Sequence, residues 1–271
     1  MGFLDDDTVN AARRLVSEQR ATELEGFAVE DSTLGAAAEL ACAMVIWQQT
    51  GEVAGLRVAE RWAASAPRVA RALACVQGAA QAEAERHAAP QSEMESIGSD
   101  PDEIAFLSER FKRSLVAHGG YSTPLATALS GALGEMVDNV LRHSTEREGT
   151  PGAAVVGYSV IGSEFEFVVA DLGRGVLTSL RSISAWEHLA SAQASLDAIV
   201  TRGATRRSGQ TQGGGFRDLF TALVDLAGEL RLRSDEAAVT LDGRGDPARR
   251  LKVHEAIPRL VGFQVTARGR R

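Results

Sequence analysis

Cysteine is nearly absent from the chain, which contains only Cys42 and Cys75 among its 271 residues. Two cysteines supply neither a disulfide framework nor a structural zinc site. Aromatic residues make up only 5% of the chain, so a core must be built mainly from Ala, Leu and Val. The longest apolar run, from Leu34 to Trp47, contains Glu39 and is too short to span a bilayer.

The chain also lacks an excess of positive charge, since 36 acidic side chains outnumber 29 basic ones and the formal net charge is −7. An acidic chain is poorly suited to nucleic acid or an anionic membrane as its main partner. The basic cluster Arg268-Gly-Arg270-Arg271 is a local exception, and we expect a solvated tail there. The stretch from Met1 to Asp7 is acidic and lacks the apolar length of a signal peptide. We therefore expect a soluble, cytoplasmic protein.

The chain divides by composition into two parts. Residues 1–88 are rich in alanine and have the apolar spacing of helices. The predicted helices run from Thr8 to about Glu25, from Ser32 or Thr33 to Gln49, from Glu52 to Ala66 and from Pro67 to Arg86. Their apolar stripes are typical of a bundle, which could serve for dimerisation or for binding a partner. Residues 89–99 have the polar, proline-containing composition of a linker, which leads into a second domain over residues 100–271.

Residues 100–271 alternate between helical and strand patterns. Helices are predicted from Asp100 to Ala117, from Thr123, which precedes Pro124, to about His143–Thr145, from Ser191 to Arg202 and from Phe216 to Ala227. Strands are predicted at Ala154–Ile161, Phe165–Ala170, Glu229–Ser234, Ala237–Leu241 and Arg259–Ala267. Tight turns between neighbouring strands indicate a mixed, largely antiparallel sheet. The predicted fold class is α/β: a two-layer sandwich with helices on one face of the sheet, preceded by an all-helical N-terminal region.

One predicted helix carries a polar stripe. Glu135, Asn139 and His143 are spaced by four residues, so they stack along one side of that helix. A carboxylate can act as a base, an amide offers a neutral oxygen ligand, and an imidazole can donate a hydrogen bond. The set suits metal–phosphate chemistry, although a solvated polar stripe would have the same spacing.

A second group, Asp171-Leu-Gly173-Arg-Gly175, follows a predicted strand. A carboxylate in this position accepts well from an exocyclic amine such as that of adenine. The two glycines would let the backbone approach a planar ring and adopt positive φ. An ordinary turn from a strand into a loop has the same composition.

A third group, from Gln212 through Gly213, Gly214 and Gly215, opens the helix at Phe216. Backbone N–H groups at a glycine-rich helix start can cradle an anion. Arg207 lies just upstream and could reach a phosphate, but a flexible loop with solvated arginines would look the same.

The order of these groups is more specific than any one of them. A helix with E-x-x-D-N-x-x-x-H, a hairpin that ends in D-x-G-x-G, a polar loop and a glycine-led helix follow one another. This order resembles the ATP-binding domain shared by gyrase, heat-shock chaperone ATPases, histidine kinases and MutL, known as the GHKL or Bergerat fold. The resemblance covers about Asp100 to Gly269 and is closest in motif form to the anti-sigma-factor serine kinases. It implies ATP and magnesium as ligands.

The resemblance also implies roles for individual residues. Asn139 matches the magnesium-binding asparagine, Glu135 the acid that serves as general base, and Asp171 the aspartate that binds the adenine amino group. The remaining matches are Gly173 and Gly175 for the first glycine box, Gly213, Gly214 and Gly215 for the second, and Asp138 and His143 on the helix of the metal-binding asparagine.

The chain departs from the family pattern in three respects. The second glycine box usually continues Gly-Leu-Gly-Leu, whereas Gly215 is followed here by Phe-Arg-Asp-Leu. The last strand commonly begins Gly-Thr, whereas this chain has Gly262 followed by Phe263, so one contact to adenine is missing or supplied elsewhere. Neither His87 nor His118 has the acidic neighbour expected of the phosphoacceptor in a sensor kinase.

Two functions fit these features. In the first, the chain is an ATPase or a protein serine/threonine kinase, in which Glu135 deprotonates water or a hydroxyl while Asn139 and magnesium hold the γ-phosphate. In the second, it is a nucleotide-gated binding module with little or no turnover, and the altered second glycine box favours this reading. The expected partner is a regulatory protein, such as a sigma factor or an anti-sigma antagonist, and a homodimer also fits. An inert scaffold with decayed motifs is a third reading.

Overall fold

The structure is a computed structural model that describes residues 2–24, 27–77, 91–96, 101–144, 154–202, 219, 223, 226, 228–243, 251–254 and 256–271. The helices are α1 (Asp6–Ser17), α2 (Leu34–Thr50), α3 (Val53–Ser65), α4 (Pro67–Val76), α5 (Pro101–Ala117), α6 (Thr123–Ser144), α7 (Gly175–Arg181) and α8 (Ala192–Arg202). The strands are β1 (Gly2–Leu4), β2 (Val29–Ser32), β3 (Ser92–Ser96), β4 (Ala154–Ile161), β5 (Glu164–Asp171), β6 (Glu229–Asp235), β7 (Ala237–Asp242), β8 (Leu251–His254) and β9 (Leu260–Arg270). No helix in these ranges is long and apolar enough to cross a lipid bilayer.

The central N-terminal helix, α2, has clear local start and stop signals. The hydroxyl of Thr33 accepts the N–H of Ala36 at 3.1 Å and so caps the helix. Gly51, at φ +72°, ends it in the left-handed conformation that glycine adopts easily. The predicted helix that starts at Thr33 is therefore confirmed, with its end shifted by one residue.

The first helix, α1, is shorter than the predicted helix from Thr8 to Glu25. Its cap is Asp5, whose carboxylate accepts the N–H of Thr8 at 2.8 Å. The helix ends at Ser17, and Gln19 follows at φ +59°, which a right-handed helix cannot accommodate. The prediction is wrong at the start because Asp5 offers its carboxylate before Thr8, and wrong at the end because Gln19 leaves the helical conformation.

Seven strands form one sheet in the order β3-β4-β5-β9-β6-β7-β8, and every neighbouring pair is antiparallel. The predicted hairpin turn at Gly162-Ser163 is confirmed, because Ile161 pairs with Glu164 across it. Parallel pairing among the described strands occurs only in a separate two-stranded sheet of β1 and β2. The predicted mixed sheet is thus corrected to an antiparallel one. Both β1 and β2 lie within residues 1–88, so the prediction of an all-helical N-terminal region is corrected to a mainly helical one.

The two edge strands have no counterpart among the predicted elements. β3 lies inside residues 89–99, the segment predicted as a linker, and pairs with β4 from Ser92 to Ser96. Only Met94 of β3 is fully buried, so the polar composition that suggested a linker belongs to a sheet edge. β8 likewise pairs with β7 after the polar stretch that precedes it.

The predicted solvated tail is part of the last strand. β9 continues to Arg270, three residues beyond the predicted end at Ala267. The guanidinium of Arg268 lies 3.2 Å from the carboxylate of Asp6 and 3.1 Å from that of Glu166. These two ion pairs hold the basic residue between the sheet and the N-terminal helices.

Helices cover both faces of the sheet. Along β5, Phe165, Phe167 and Val169 belong to the core shared with α5 to α8. Val168 and Ala170 point the other way and belong to the core shared with the N-terminal helices. The predicted two-layer sandwich is therefore corrected to three layers. The apolar run of β4 carried a signal for this, since a strand that is apolar at successive positions is covered on both faces.

Candidate functional site

The buried side of α6 determines the direction in which its polar side chains point. The buried residues include Leu129, Leu133, Met136, Val137 and Val140. Glu135 and Asn139 are both exposed. Ser130 and Gly134 line a shallow groove against α5. At about 100° per residue, Asn139 points away from Ser130 and Gly134, and Glu135 lies between Asn139 and Gly131, which also lines the groove. We infer that both side chains lie towards the flank of α6 that faces away from α5.

The helices on this face follow the order of the strands beneath them. α6 packs on β4 and β5, α7 on β9 and β6, and α8 on β6 and β7. Because β9 lies between β5 and β6 in the sheet, the flank of α6 that faces away from α5 faces towards α7. The loop that leads into α7 begins at Asp171.

α6 and β5 begin at the same end of the sheet. The hydroxyl of Tyr121 donates to the carbonyl oxygen of Ser163 at 2.6 Å and ties these starts together. A helix rises about 1.5 Å per residue and a strand about 3.3 Å per residue. Asn139 is therefore about 24 Å from the start of α6, and Asp171 is about 23 Å from the start of β5. We infer that both side chains lie towards the same end of the sheet.

Asp171 is a buried acid at the end of β5, with 5% of its surface exposed. Its Oδ1 atom accepts the N–H of Gly173 at 2.6 Å. Burial raises the pKa of Asp171 to about 7, against the lowering effect of the backbone N–H groups of Gly173 and Phe263. No described cation contributes to this shift. A buried carboxyl group without a cationic partner is suited to accept a hydrogen bond from a neutral donor.

Glycine is required at two positions beside Asp171. Gly175 has φ +77°, and a Cβ there would lie 3.0 Å from both Ser234 Oγ and Asp235 Oδ2. Gly262 has φ +91°, and a Cβ there would lie 1.9 Å from the carbonyl oxygen of Asp171. The expectation of positive φ holds for Gly175 and not for Gly173, whose N–H instead bonds to Asp171.

Ser234 joins the three segments around this acid. Its Oγ atom accepts the N–H of Val176 at 3.0 Å and donates to the carbonyl oxygen of Gly262 at 2.9 Å. Sequence reasoning missed Ser234, because a single serine at the end of an alternating strand has no distinguishing pattern. Gly262 was noticed only as the glycine that begins the last strand.

The structure describes only some of the remaining predicted site residues. Asp138 is half-buried on α6. His143 belongs to the backbone of α6, but its side chain lies outside the described part of the structure. Arg207, Gly213, Gly214 and Gly215 also lie outside the described residues. Within the described ranges, no cluster of three or more His, Cys, Asp or Glu side chains could hold a metal ion. A metal ion at Asn139 would therefore need further oxygen ligands from a bound phosphate.

Comparison with known proteins adds no family assignment. No protein-family model matches the chain, and no curated protein matches it significantly. The resemblance to GHKL domains therefore stays a prediction that rests on the motifs.

Proposed function

We propose that the chain binds ATP with magnesium at the end of the sheet where β5 meets α7, and that it acts in the cytoplasm as a regulatory GHKL-type ATPase or protein serine/threonine kinase. The observation that carries the proposal is the buried carboxyl group of Asp171, which has no described cationic partner. Beside it, Gly175 and Gly262 keep the backbone free of side chains. A buried acceptor next to bare backbone suits a planar base that carries an amino group.

The residues have distinct tasks in this proposal. Asp171 accepts a hydrogen bond from the adenine amino group, and its burial excludes water from that bond. Asn139 offers a neutral amide oxygen on the exposed flank of α6, where a magnesium ion would neutralise triphosphate charge. Glu135 lies one turn earlier on the same flank and takes the proton from water or from a protein hydroxyl.

Calorimetric titration with ATP, with and without magnesium, tests the binding step. Wild-type protein should bind ATP, and magnesium should tighten the binding. Asn139→Ala should remove the magnesium effect, whereas Gln48→Ala, which changes another exposed helical amide, should retain it. If Asn139→Ala kept both the affinity for ATP and its magnesium dependence, the assignment of Asn139 and both proposed functions would be wrong.

The second candidate is a nucleotide-gated binding module, in which ATP controls a regulatory partner such as a sigma factor or an anti-sigma antagonist. The Phe-Arg-Asp-Leu that follows Gly215, in place of the usual second glycine box, favours this version. The direct packing of α2 on β5 and β9 also provides a route from the sheet to an N-terminal surface for a partner or a second copy.

Turnover separates the two candidates. Under the enzyme hypothesis, Glu135→Ala should abolish ATP hydrolysis or phosphoryl transfer but leave ATP binding intact. Glu60→Ala, an exposed helical acid on α3, is the matched control and should keep wild-type turnover. Equal turnover in Glu135→Ala and in wild type would remove Glu135 from the chemistry. Magnesium-dependent binding without any wild-type turnover would favour the binding module.

A further inference from the structure

A buried ionic cluster lies between the N-terminal helices and the face of the sheet opposite α6. Glu39 of α2 is fully buried, and its Oε1 atom lies 2.7 Å from Arg13 Nη1 of α1. Two arginines of β6 complete the cluster: Arg233 Nε lies 3.4 Å from Glu39 Oε1, and Arg231 Nη1 lies 3.4 Å from Glu39 Oε2. The cluster therefore joins α1 and α2 to the strand that ends at Ser234 and Asp235.

Two of these arginines extend beyond Glu39 to backbone carbonyl groups. Arg233 Nη1 donates to the carbonyl oxygen of Asp235 at 2.7 Å, and its Nη2 donates to that of Pro258. Arg13 Nη2 donates to the carbonyl oxygen of Arg259. We call Glu39, Arg13 and Arg233 the arginine clamp, because together they hold the end of β6 and the segment that leads into β9.

The end of β6 and the segment that leads into β9 lie next to an irregularity in the pairing of these two strands. Ser234 pairs with Phe263, whereas Asp235 pairs with Leu260, so Val261 and Gly262 form a bulge in β9. This bulge carries Gly262 against Asp171, where a Cβ would lie 3.0 Å from the carboxylate Oδ1. The clamp contacts at Asp235, Pro258 and Arg259 thus lie next to the bulge, on its Leu260 side.

Stability alone is a poor explanation for this cluster. A buried ion cluster is often no more stable than well-packed apolar residues of the same size, because removing the charges from water is costly. Here the guanidinium groups also donate to carbonyl oxygens at the end of β6 and just before the start of β9. The fixed geometry of guanidinium donors suits them to hold several carbonyl groups in one arrangement.

We propose that the arginine clamp is a positioning device for the base-binding end of the site, through which α1 and α2 set nucleotide affinity. This inference rests on the proposed nucleotide function and adds that the position of α1 and α2 controls nucleotide binding. A displacement of α1 or α2 moves the carbonyl groups of Pro258 and Arg259 and shifts the bulge at Gly262. That shift changes the distance between the bare backbone and Asp171.

Arg13→Met is the most informative change, because Glu39 keeps both Arg231 and Arg233 as partners. The variant loses the hydrogen bond to the carbonyl oxygen of Arg259 and the bond from α1 to Glu39. Arg61→Met is the matched control, since Arg61 also donates to a backbone carbonyl group, that of Leu24, but within the N-terminal layer. Both variants are measured well below their melting temperatures.

Calorimetry with magnesium and either ATP or GTP provides the functional readout. In Arg13→Met the Kd for ATP should rise about tenfold, and the preference for ATP over GTP should fall by a similar factor. Arg61→Met should match wild type in both quantities, because a purely structural loss changes the melting temperature and not the preference of the folded protein. An unchanged ATP preference in Arg13→Met would overturn the inference.

Amide hydrogen exchange by NMR tests the clamp without a nucleotide. In Arg13→Met the amides of Gly173, Val176 and Phe263 should exchange faster, while those in the middle of β4 keep their wild-type rates. Equal protection of these three amides in wild type and Arg13→Met would overturn the inference. A wild-type protein that binds neither ATP nor GTP overturns the proposed function instead, and the exchange rates then decide by themselves whether the clamp holds the bulge.

Discussion

A Cβ atom on Gly262 would lie 1.9 Å from the carbonyl oxygen of Asp171, so only glycine lets β9 pass the end of β5 at this distance. Gly262→Ala should lower the free energy of unfolding by at least about 2 kcal/mol. The backbone of β5 or β9 must move to make room for the Cβ atom, and alanine must also adopt the unfavourable φ of +91°. Urea denaturation measures the change. Gly162→Ala is the matched control, since Gly162 also has positive φ, +56°, but nothing within 4 Å of the added atom. Equal losses in the two variants would mean that the close approach to Asp171 carries no extra cost.

The stability of the folded chain should depend on the protonation of Asp171. Its pKa is raised by burial to about 7, whereas an unfolded aspartate titrates near 3.9. The protonated folded form is favoured, so this contribution to stability is complete below about pH 4 and is lost as the pH rises to about 7. The loss amounts to at most about 4 kcal/mol. Urea denaturation at stepped pH should show that Asp171→Asn lacks this component, and parallel pH profiles would contradict it.

The same acid predicts a pH dependence of nucleotide binding. A carboxylate accepts the adenine amino group better than a neutral carboxyl group does, so ATP should bind more weakly as the pH falls below about 7. Binding near pH 6 should then release a proton, which calorimetry detects as a heat that varies with the ionisation enthalpy of the buffer. Proton uptake instead of release would contradict this role for Asp171.

Removing the charge of Glu39 should destabilise the chain strongly. Burial opposes the ionisation of Glu39, but the charges of Arg233, Arg231 and Arg13 outweigh it and lower the pKa to about 2. Glu39→Gln removes the negative charge that Arg13, Arg231 and Arg233 share in the interior and should cost about 3–5 kcal/mol at neutral pH. The difference should shrink as the pH falls from about 4 towards 2, since the stabilising carboxylate is then protonated in wild type too. The control Glu60→Gln on the surface of α3 should stay within about 0.5 kcal/mol of wild type.

The edge strand β3 contains an acid whose neutralisation should stabilise the protein. Glu95 shares Arg110 with Glu93, at 2.9 Å and 2.8 Å respectively. Burial and the charge of Glu93 raise the pKa of Glu95 to about 7. The contribution of Glu95 to stability is therefore lost as the pH rises through about 7. At pH 8, Glu95→Gln should raise the free energy of unfolding by up to about 3 kcal/mol. Thermal melts at pH 8 and pH 4 test this, and an equal gain at both pH values would contradict it.

The sequence correctly predicted those turns and helix ends that depend only on a few adjacent residues. The turn at Gly162-Ser163 and the cap at Thr33 are both where the pattern predicted them, because a short turn or a cap depends on a few adjacent residues. The edge strand β3 was missed for the opposite reason. Its polar residues form a strand only because β4, some sixty residues later, offers backbone partners, as in the pairing of Met94 with Gly157.

The residues of the candidate site also fall into two groups, those that short sequence patterns indicated and those that only the fold brings together. Spacing alone placed Glu135 and Asn139 on one flank of a helix, and D-x-G-x-G placed Asp171 beside glycines at the end of a strand, since both patterns depend on a few adjacent residues. Spacing could not indicate that Ser234 bonds to Val176 and Gly262, because those contacts join the end of β6 to the start of α7 and to β9, which are far apart along the chain.

By itself, the sequence determined the apolar spacing of the helices, the alternation of the paired strands and the order of the polar motifs, all of which depend on neighbours within a few residues. The tertiary structure alone decided that the N-terminal helices cover the second face of the sheet. It also decided that Glu39 meets Arg13 and Arg233 in the interior. Apolar strands require cover on both faces, but which segment supplies it is settled by the packing of residues that lie far apart in sequence.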